Sequence, residues 1–161
     1  MDHTENEILG TAGLLRRELA GMGLPFRRND AEGLVSFTCA VKNAQIPFEI
    51  ELVEVEGETG IFFSAYLPFR VPDDRLGPFL LLLCVVNNKL EEGCFKLDGN
   101  TGDLTFTLAE RILERTAEPG YFRRQIECVC ALLGDFLDPL WMFRQGQLGL
   151  DGFLQRTDLL S

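Results

Sequence analysis

The chain has 161 residues, of which 46% are hydrophobic and 25% charged, and this is the length and composition of one folded domain. Its formal net charge is -10 at pH 7, so its surface repels nucleic-acid phosphates and anionic lipid headgroups. We therefore expect no nucleic-acid partner and no membrane partner, because the arginine pairs that would offset this charge are isolated: Arg16–Arg17, Arg27–Arg28 and Arg123–Arg124.

Cysteine usage and the longest apolar run indicate the compartment. The five cysteines form an odd set without the spacing of a disulfide framework. The first residues, MDHTENE, lack the apolar core of a signal peptide, and the run 79–86 is far shorter than the ~20 residues that span a bilayer. These features predict a cytoplasmic protein with reduced thiols.

The first predicted element is an amphipathic helix. Thr4 and Glu7 form a T-x-x-E capping box, which satisfies backbone amides at a helix start. Gly21 or Gly23 ends the helix. One apolar stripe runs along it at spacings of four and three residues: Ile8, Ala12, Leu15, Leu19 and Met22.

Alternating strands follow the helix. The segments 35–41, 46–52 and 61–69 place apolar residues at every second position, and Gly- or Asn-containing turns separate them. Residues 24–28 are a candidate for one further leading strand. Consecutive strands joined by short turns predict an antiparallel meander.

The segment 79–90 is apolar almost all round, which predicts a central helix buried on several sides. Pro78 fits its first turn, and Gly93 closes the helix. Two more strands, 94–98 and 104–108, flank a polar hairpin loop.

The last predicted helix opens at Pro119, and we expect Pro139 to kink or end it near Trp141. The tail 146–161 is punctuated by glycine and is either mobile or docked on an apolar groove. An apolar stripe with intervals of four and three residues marks this helix: Phe122, Ile126, Val129, Leu133, Phe136 and Leu140.

The order of elements is therefore α-βββ(β)-α-ββ-α. Blocks of strands separated by helices predict an α+β fold with an antiparallel sheet of five to six strands and three helices. We expect residues 1–145 to form one domain and residues 146–161 to form a C-terminal tail.

The residues offer little catalytic chemistry. The one histidine, His3, lies in the first three residues, so we expect no Ser-His or Cys-His couple, and no phosphate-binding glycine motif is present. Cys128 and Cys130 are two positions apart on a helix and so point in different directions. The loop 98–109 fails the EF-hand pattern at three positions. We expect no enzyme, no metal and no cofactor.

The stretch NNKLEEGCFKLDGNTGDLTF holds polar residues that we interpret as structural. One side-chain amide of the asparagine pair is expected to bridge the helix to the following strand, since asparagine is a poor mid-helix residue without such a role. The alternative is a polar contact at the edge of a partner surface. The residues assigned to structural turns are Asn87, Asn88, Gly93, Asp98 and Gly102.

Apolar stripes supply the candidate protein interfaces, and core packing against the sheet is the alternative for the stripe of the last helix. The predicted client-binding residues are Ile8, Leu15, Leu19 and Met22. The predicted self-association surface follows the last helix, because aromatic residues are enriched at interfaces. Its residues are Phe122, Ile126, Val129, Leu133, Phe136, Leu140 and Trp141.

Two stretches carry a family resemblance. The segment VNNKLEEGCFKLDGNTGDLTF (86–106) resembles the bacterial YbjN-like domain, in which a buried helix with Asn precedes a Gly, an F-x-L-D strand, a turn and an apolar strand. The segment GLPFRRNDAEGLVSF (23–37) resembles that family's entry from the first helix to the first strands. The resemblance covers about residues 14–140.

The YbjN-like family is similar in fold to the type III secretion chaperones. The resemblance implies a bacterial cytoplasmic homodimer that binds a protein or peptide partner, with no catalytic residue or cofactor. We therefore expect a non-enzymatic binding module, either a regulator or a chaperone. A dedicated secretion chaperone for one effector is one alternative. A small-molecule sensor or enzyme, with a pocket between the central helix and the sheet, is the other.

Overall fold

The computed structural model describes residues 10–112 and 117–159. Its helices are α1 (Thr11–Gly21), α2 (Leu76–Lys89), α3 (Tyr121–Arg144) and α4 (Leu150–Arg156), and a 3-10 turn precedes α2. Its strands are β1 (Phe26–Asn29), β2 (Leu34–Val41), β3 (Ala44–Val55), β4 (Glu58–Arg70), β5 (Cys94–Leu97) and β6 (Asp103–Ile112). The predicted α+β class is confirmed, and a fourth, short helix is added to the predicted order.

All six strands form one antiparallel sheet in the order β1-β2-β3-β4-β6-β5. The first four strands are consecutive, as expected for strands joined by short turns. The chain then passes through α2 to the far edge, where it forms β5. The β5–β6 hairpin returns it to the side of β4, so β6 lies between β4 and β5.

The register divides the sheet into two faces. Ile50 pairs with Phe63, which pairs with Leu108, and all three side chains are buried on one face. The helices pack on this face: Phe122 of α3 lies 6.3 Å from Phe63, between ring centroids. The opposite face, where Phe62 is exposed, is covered by none of the described helices. We call it the open face.

Helix α3 is longer than the sequence predicts. It runs for 24 residues through Pro139 to Arg144, so the predicted end near Trp141 is wrong. Proline removes the backbone bond to the carbonyl of the residue four positions earlier and crowds that carbonyl, and this residue, Asp135, lies on the exposed side. Continuing the helix buries Leu140 and Phe143, which offsets the lost bond.

Helix α2 is buried on one side rather than several, contrary to expectation. Its core residues are Phe79, Leu82, Leu83 and Val86, whereas Leu80 and Leu81 are 55% and 61% exposed. The helix is apolar all round, but the protein covers only half of it.

The last described helix, α4, packs on the core. Phe153 is fully buried, and its ring centroid lies 6.0 Å from that of Phe136 and 6.1 Å from that of Phe143. The C-terminal residues therefore contribute a buried aromatic ring to the part of the core beside the end of α3. No helix in the described part of the chain is long and apolar enough to cross a membrane.

Candidate functional site

Exposed apolar side chains mark two patches on the described surface. Seven large hydrophobic side chains are exposed, and six of them belong to one patch or the other. The sheet patch lies on the open face and comprises Val53, Val55, Phe62 and Tyr66. The α2 patch comprises Leu80 and Leu81. Trp141 of α3 is the seventh. Since clustered apolar exposure marks interaction sites, these two patches are the candidate sites.

The α2 patch lies on a helix without charge. The thirteen residues between Arg75 and Lys89 include no acidic or basic side chain. Cys84, also exposed, lies three and four residues beyond Leu81 and Leu80, which places the three side chains on one side of the helix. The patch therefore offers a partner an apolar surface with no charge to desolvate.

A hollow of about 340 Å³ adjoins the α2 patch. Leu81 and Pro78 line one side, and Leu148, after the end of α3, lines another. The Arg75 guanidinium lies 5.1 Å from the Phe143 ring centroid, and its Nη2 donates a hydrogen bond of 2.6 Å to the Phe143 carbonyl. This arginine therefore fixes the start of α2 against the end of α3.

The sheet patch is built on the β3–β4 hairpin. Val53 faces Gly60 across the two strands, and Phe62 faces Glu51 on one side and Ala109 of β6 on the other. A hollow of about 550 Å³ opens between these residues. The hollow exists because Gly60 and Ala109 are small, and the larger side chains beside them form its walls.

Acidic groups surround the sheet patch. Glu49 accepts a hydrogen bond of 2.7 Å from the Tyr66 hydroxyl, and Glu58 pairs with Arg111 at 3.3 Å. Burial, together with the hydrogen bond and negative charge of Glu49, raises the pKa of Tyr66 to about 12. Glu51 and Glu56 are exposed and form no ion pair within the described part of the chain.

The structure corrects the predicted self-association surface. The six stripe residues of α3 are at most 5% exposed and pack inside the single chain. Of the seven predicted residues, only Trp141 is exposed. Its ring packs edge-on against Phe69, with the ring centroids 5.5 Å apart, and the Arg144 guanidinium lies 5.0 Å from the Trp141 centroid. The buried side chains are Phe122, Ile126, Val129, Leu133, Phe136 and Leu140, and they are unavailable to a second chain.

The predicted client-binding residues are corrected in the same way. Leu15 and Leu19 of α1 are fully buried, and Met22 is half-buried against the core. Ile8, with the Thr4–Glu7 capping box, lies outside the described residues. The apolar stripe of α1 is therefore part of the hydrophobic core, in contact with the chain's own residues.

The side chain of Asn87 joins α2 to β5. Its Nδ2 donates to the Phe95 carbonyl at 2.9 Å, and its Oδ1 accepts from the Phe95 amide at 2.8 Å. Asn88 is exposed. Gly93, at φ 72°, places its backbone against the Phe106 ring, where a side chain would collide with that ring.

The polar loop between β5 and β6 is a hairpin held by Asp98. Its Oδ1 accepts the backbone amides of Asn100 at 2.8 Å and Thr101 at 3.2 Å. The carbonyl of Gly102 accepts a hydrogen bond of 2.8 Å from the Val71 amide. Gly102 has a φ of 74°, and a side chain at this position would collide with the Val71 carbonyl. The loop therefore serves the fold of the hairpin.

The two cysteines of α3 face different surroundings. Cys128 is exposed, whereas Cys130 is half-buried against Cys39 of β2. The hydrogen bond between these thiols lowers the pKa of Cys39, against the effect of burial, and raises the pKa of Cys130 together with burial. No group of three metal-binding side chains occurs among the residues that the structure describes.

The fold is similar to that of YbjN from E. coli, a candidate transcription regulator known from a crystal structure, with a TM-score of 0.54. The two proteins are 17% identical, and the match covers 75% of this chain and 84% of YbjN. No protein-family profile and no curated protein matches this chain. The chain therefore has a YbjN-like fold.

Proposed function

We propose that this chain is a non-enzymatic protein-binding module that forms a homodimer through the α2 patch and binds a polypeptide partner on the sheet patch. One observation carries the proposal: six of the seven exposed large hydrophobic side chains of the described surface fall into these two patches. The YbjN-like fold supports it, since the resemblance implies a protein partner. A cytoplasmic location remains a prediction.

The charge distribution assigns the α2 patch to self-association. Two copies that each carry a net charge of -10 repel one another, so a contact between them is favoured where charge is absent. Helix α2 offers such a surface over thirteen residues. A two-fold contact places the same patch on both sides, and Leu80 and Leu81 of one copy then pack against the α2 patch of the other.

A charge placed on the α2 patch tests the homodimer. We expect the wild type to be a dimer and Leu81→Asp to be a monomer of unchanged circular dichroism, because the contact would desolvate the aspartate. The matched control is Val55→Asp, since Val55 is 60% exposed and Leu81 61%. Analytical ultracentrifugation measures the mass in solution. A Leu81→Asp dimer, or a monomeric Val55→Asp variant, would contradict this assignment.

Site-specific cross-linking tests the partner-binding role of the sheet patch. A photo-reactive phenylalanine analogue in place of Phe62 should cross-link one polypeptide in the native host. The same analogue in place of Asp135, on the exposed side of α3, should not capture that polypeptide. Equal capture at both positions, or none at Phe62, would count against partner binding on the open face.

A further inference from the structure

We propose that the sheet patch binds a basic amphipathic helix of its polypeptide partner. The inference rests on the proposed function and specifies the chemistry of the partner. Four features carry it: the direction of the apolar side chains, the width of the patch, the hollow at its centre and the unpaired carboxylates at its edge.

The direction of the side chains determines how a partner must approach. Val53, Val55 and Phe62 share one face by register and point out of the plane of the sheet. A strand added at an edge lies in that plane and leaves these side chains in water. A partner that buries them must lie on top of the open face, as the protein's own helices do on the other face.

The size of the patch fits one helix. Its side chains lie on β3 and β4, and together with the adjoining Ala109 of β6 the surface is two strand spacings wide, or about 10 Å. A helix with its side chains is about 10–12 Å in diameter. One helix laid along these strands therefore covers the apolar side chains and leaves its outer side in water.

The hollow provides the point where an apolar side chain of the partner enters. Its volume is about 550 Å³, and Val53, Val55, Gly60 and Phe62 are among its lining residues. A Cβ atom on Gly60 would lie 3.2 Å from the Phe62 ring, so a side chain at this position would narrow the hollow. A leucine or phenylalanine of the partner helix is the residue that fits.

The carboxylates determine the sign of the partner's charge. Glu49 and Glu58 are engaged by Tyr66 and Arg111, whereas Glu51 and Glu56 are exposed beside the patch without an ion-pair partner in the described part of the chain. An acidic helix would be repelled both by these two groups and by the net charge of -10. Lysine or arginine next to the apolar stripe of the helix complements them.

Three synthetic peptides of about 18 residues, or five helical turns, test the proposal. The first is an amphipathic helix of leucine and lysine, the second replaces each lysine by glutamate, and the third scrambles the first so that it has no apolar side. Fluorescence anisotropy of the labelled peptides measures each Kd in low-salt buffer. We expect binding of the first peptide only, weakened by added salt.

Variants of the protein locate the binding site. Phe62→Ser, and separately the double change Glu51→Gln with Glu56→Gln, should each weaken binding of the lysine peptide about tenfold. The control removes the same charge elsewhere by changing Glu32 and Glu91, both exposed, to Gln, and should change the Kd by less than about twofold. Circular dichroism verifies that each variant is folded.

Each contrary result has a defined meaning. If the lysine and glutamate peptides bind equally and Phe62→Ser abolishes both, the basic chemistry is wrong and partner binding on this patch stands. If the scrambled peptide binds as well as the first, charge alone attracts it, and the proposal that the partner is an amphipathic helix is wrong. If no peptide binds, the proposal fails, and loss of the Phe62 cross-link as well would overturn the proposed function.

Discussion

Asn87 fixes the connection between α2 and β5 with one side chain. Its side chain both donates to and accepts from the backbone of Phe95, because a carboxamide has an N–H donor and a carbonyl acceptor side by side. The site is partly buried, so an unpaired amide or carbonyl there loses its contact with water as well as its partner. This explains why an asparagine occupies the last turns of an apolar helix.

Replacing Asn87 by alanine should lower the free energy of unfolding by about 2–3 kcal/mol, because both backbone groups of Phe95 lose their partner. Urea denaturation measures the change. Asn88→Ala is the control, since Asn88 is exposed, and it should stay within about 0.5 kcal/mol of the wild type. Equal effects of the two variants would show that the bridge contributes nothing.

Tyr66 provides a test by pH. Its pKa of about 12 lies above its ordinary value of 10.0, because burial and the nearby Glu49 disfavour the tyrosinate. The stability that the protonated Tyr66 hydroxyl gives the native state is therefore fully present below pH 10 and is lost as the pH rises toward 12. The second tyrosine, Tyr121, also has a raised pKa, through burial and Glu110.

We expect the native protein to show little tyrosinate absorbance at pH 10.0, where the unfolded protein is half ionised. Ultraviolet absorbance of tyrosinate, followed as the pH rises, measures this directly. Tyr66→Phe removes one of the two late-titrating groups. A native titration that follows the unfolded one would show that neither hydroxyl is protected.

The helices differ in whether the rest of the chain covers their apolar sides, and this difference cannot be read from the sequence. The stripe of α3 is regular enough for an interface between two chains, yet the sheet of the same chain covers it. Helix α2 has less periodicity but keeps Leu80 and Leu81 in water. A periodic pattern identifies the apolar side of a helix, but the partner of that side depends on the rest of the fold.

Phe136→Ala tests the role of α3 as core. It should destabilise the protein by about 3–5 kcal/mol, since it leaves a cavity next to Phe95 and Phe153. Trp141→Ala should cost about 1 kcal/mol, because the ring is 44% exposed and meets only the edge of Phe69 and the exposed Arg144 among the ring and cation contacts of the described residues. Urea denaturation compares them. A mild effect of Phe136→Ala on stability would reopen the interface interpretation.

Strand β3 contained a signal that pattern reading missed. Its alternation places Glu49 and Glu51 on the open face, and the same parity continues into Val53 and Val55. This change from polar to apolar residues in mid-strand produces the exposed apolar side chains on which the proposed partner surface rests. The pattern was visible in the sequence as a change from E-I-E to V-E-V, although the neighbouring Phe62 is known only from the register.

At the scale of the whole molecule, the sheet has helices on one face and none of the described ones on the other. Antiparallel sheets tolerate this arrangement because alternate residues can be polar on the solvated face. The last helix, α4, completes the covered side through Phe153, which contacts two rings of α3. The C-terminal residues thus take part in the core.

Phe153→Ala should lower the free energy of unfolding by about 3–5 kcal/mol, since a fully buried ring is removed from between Phe136 and Phe143. Gln155→Ala, on the exposed side of the same helix, should have little effect. Thermal unfolding followed by circular dichroism measures both. If the two variants melt together, α4 contributes nothing to the stability of the core.

The sequence by itself determined the α+β class and most strand positions, because side-chain alternation in a strand and periodicity in a helix follow from backbone geometry alone. Only the tertiary structure decided that the α3 stripe is internal, that α4 docks, and that α2 keeps Leu80 and Leu81 in water. Those outcomes depend on which surfaces the chain folds against each other. Local patterns contain no information about that choice, because an apolar side chain gains the same burial from either partner.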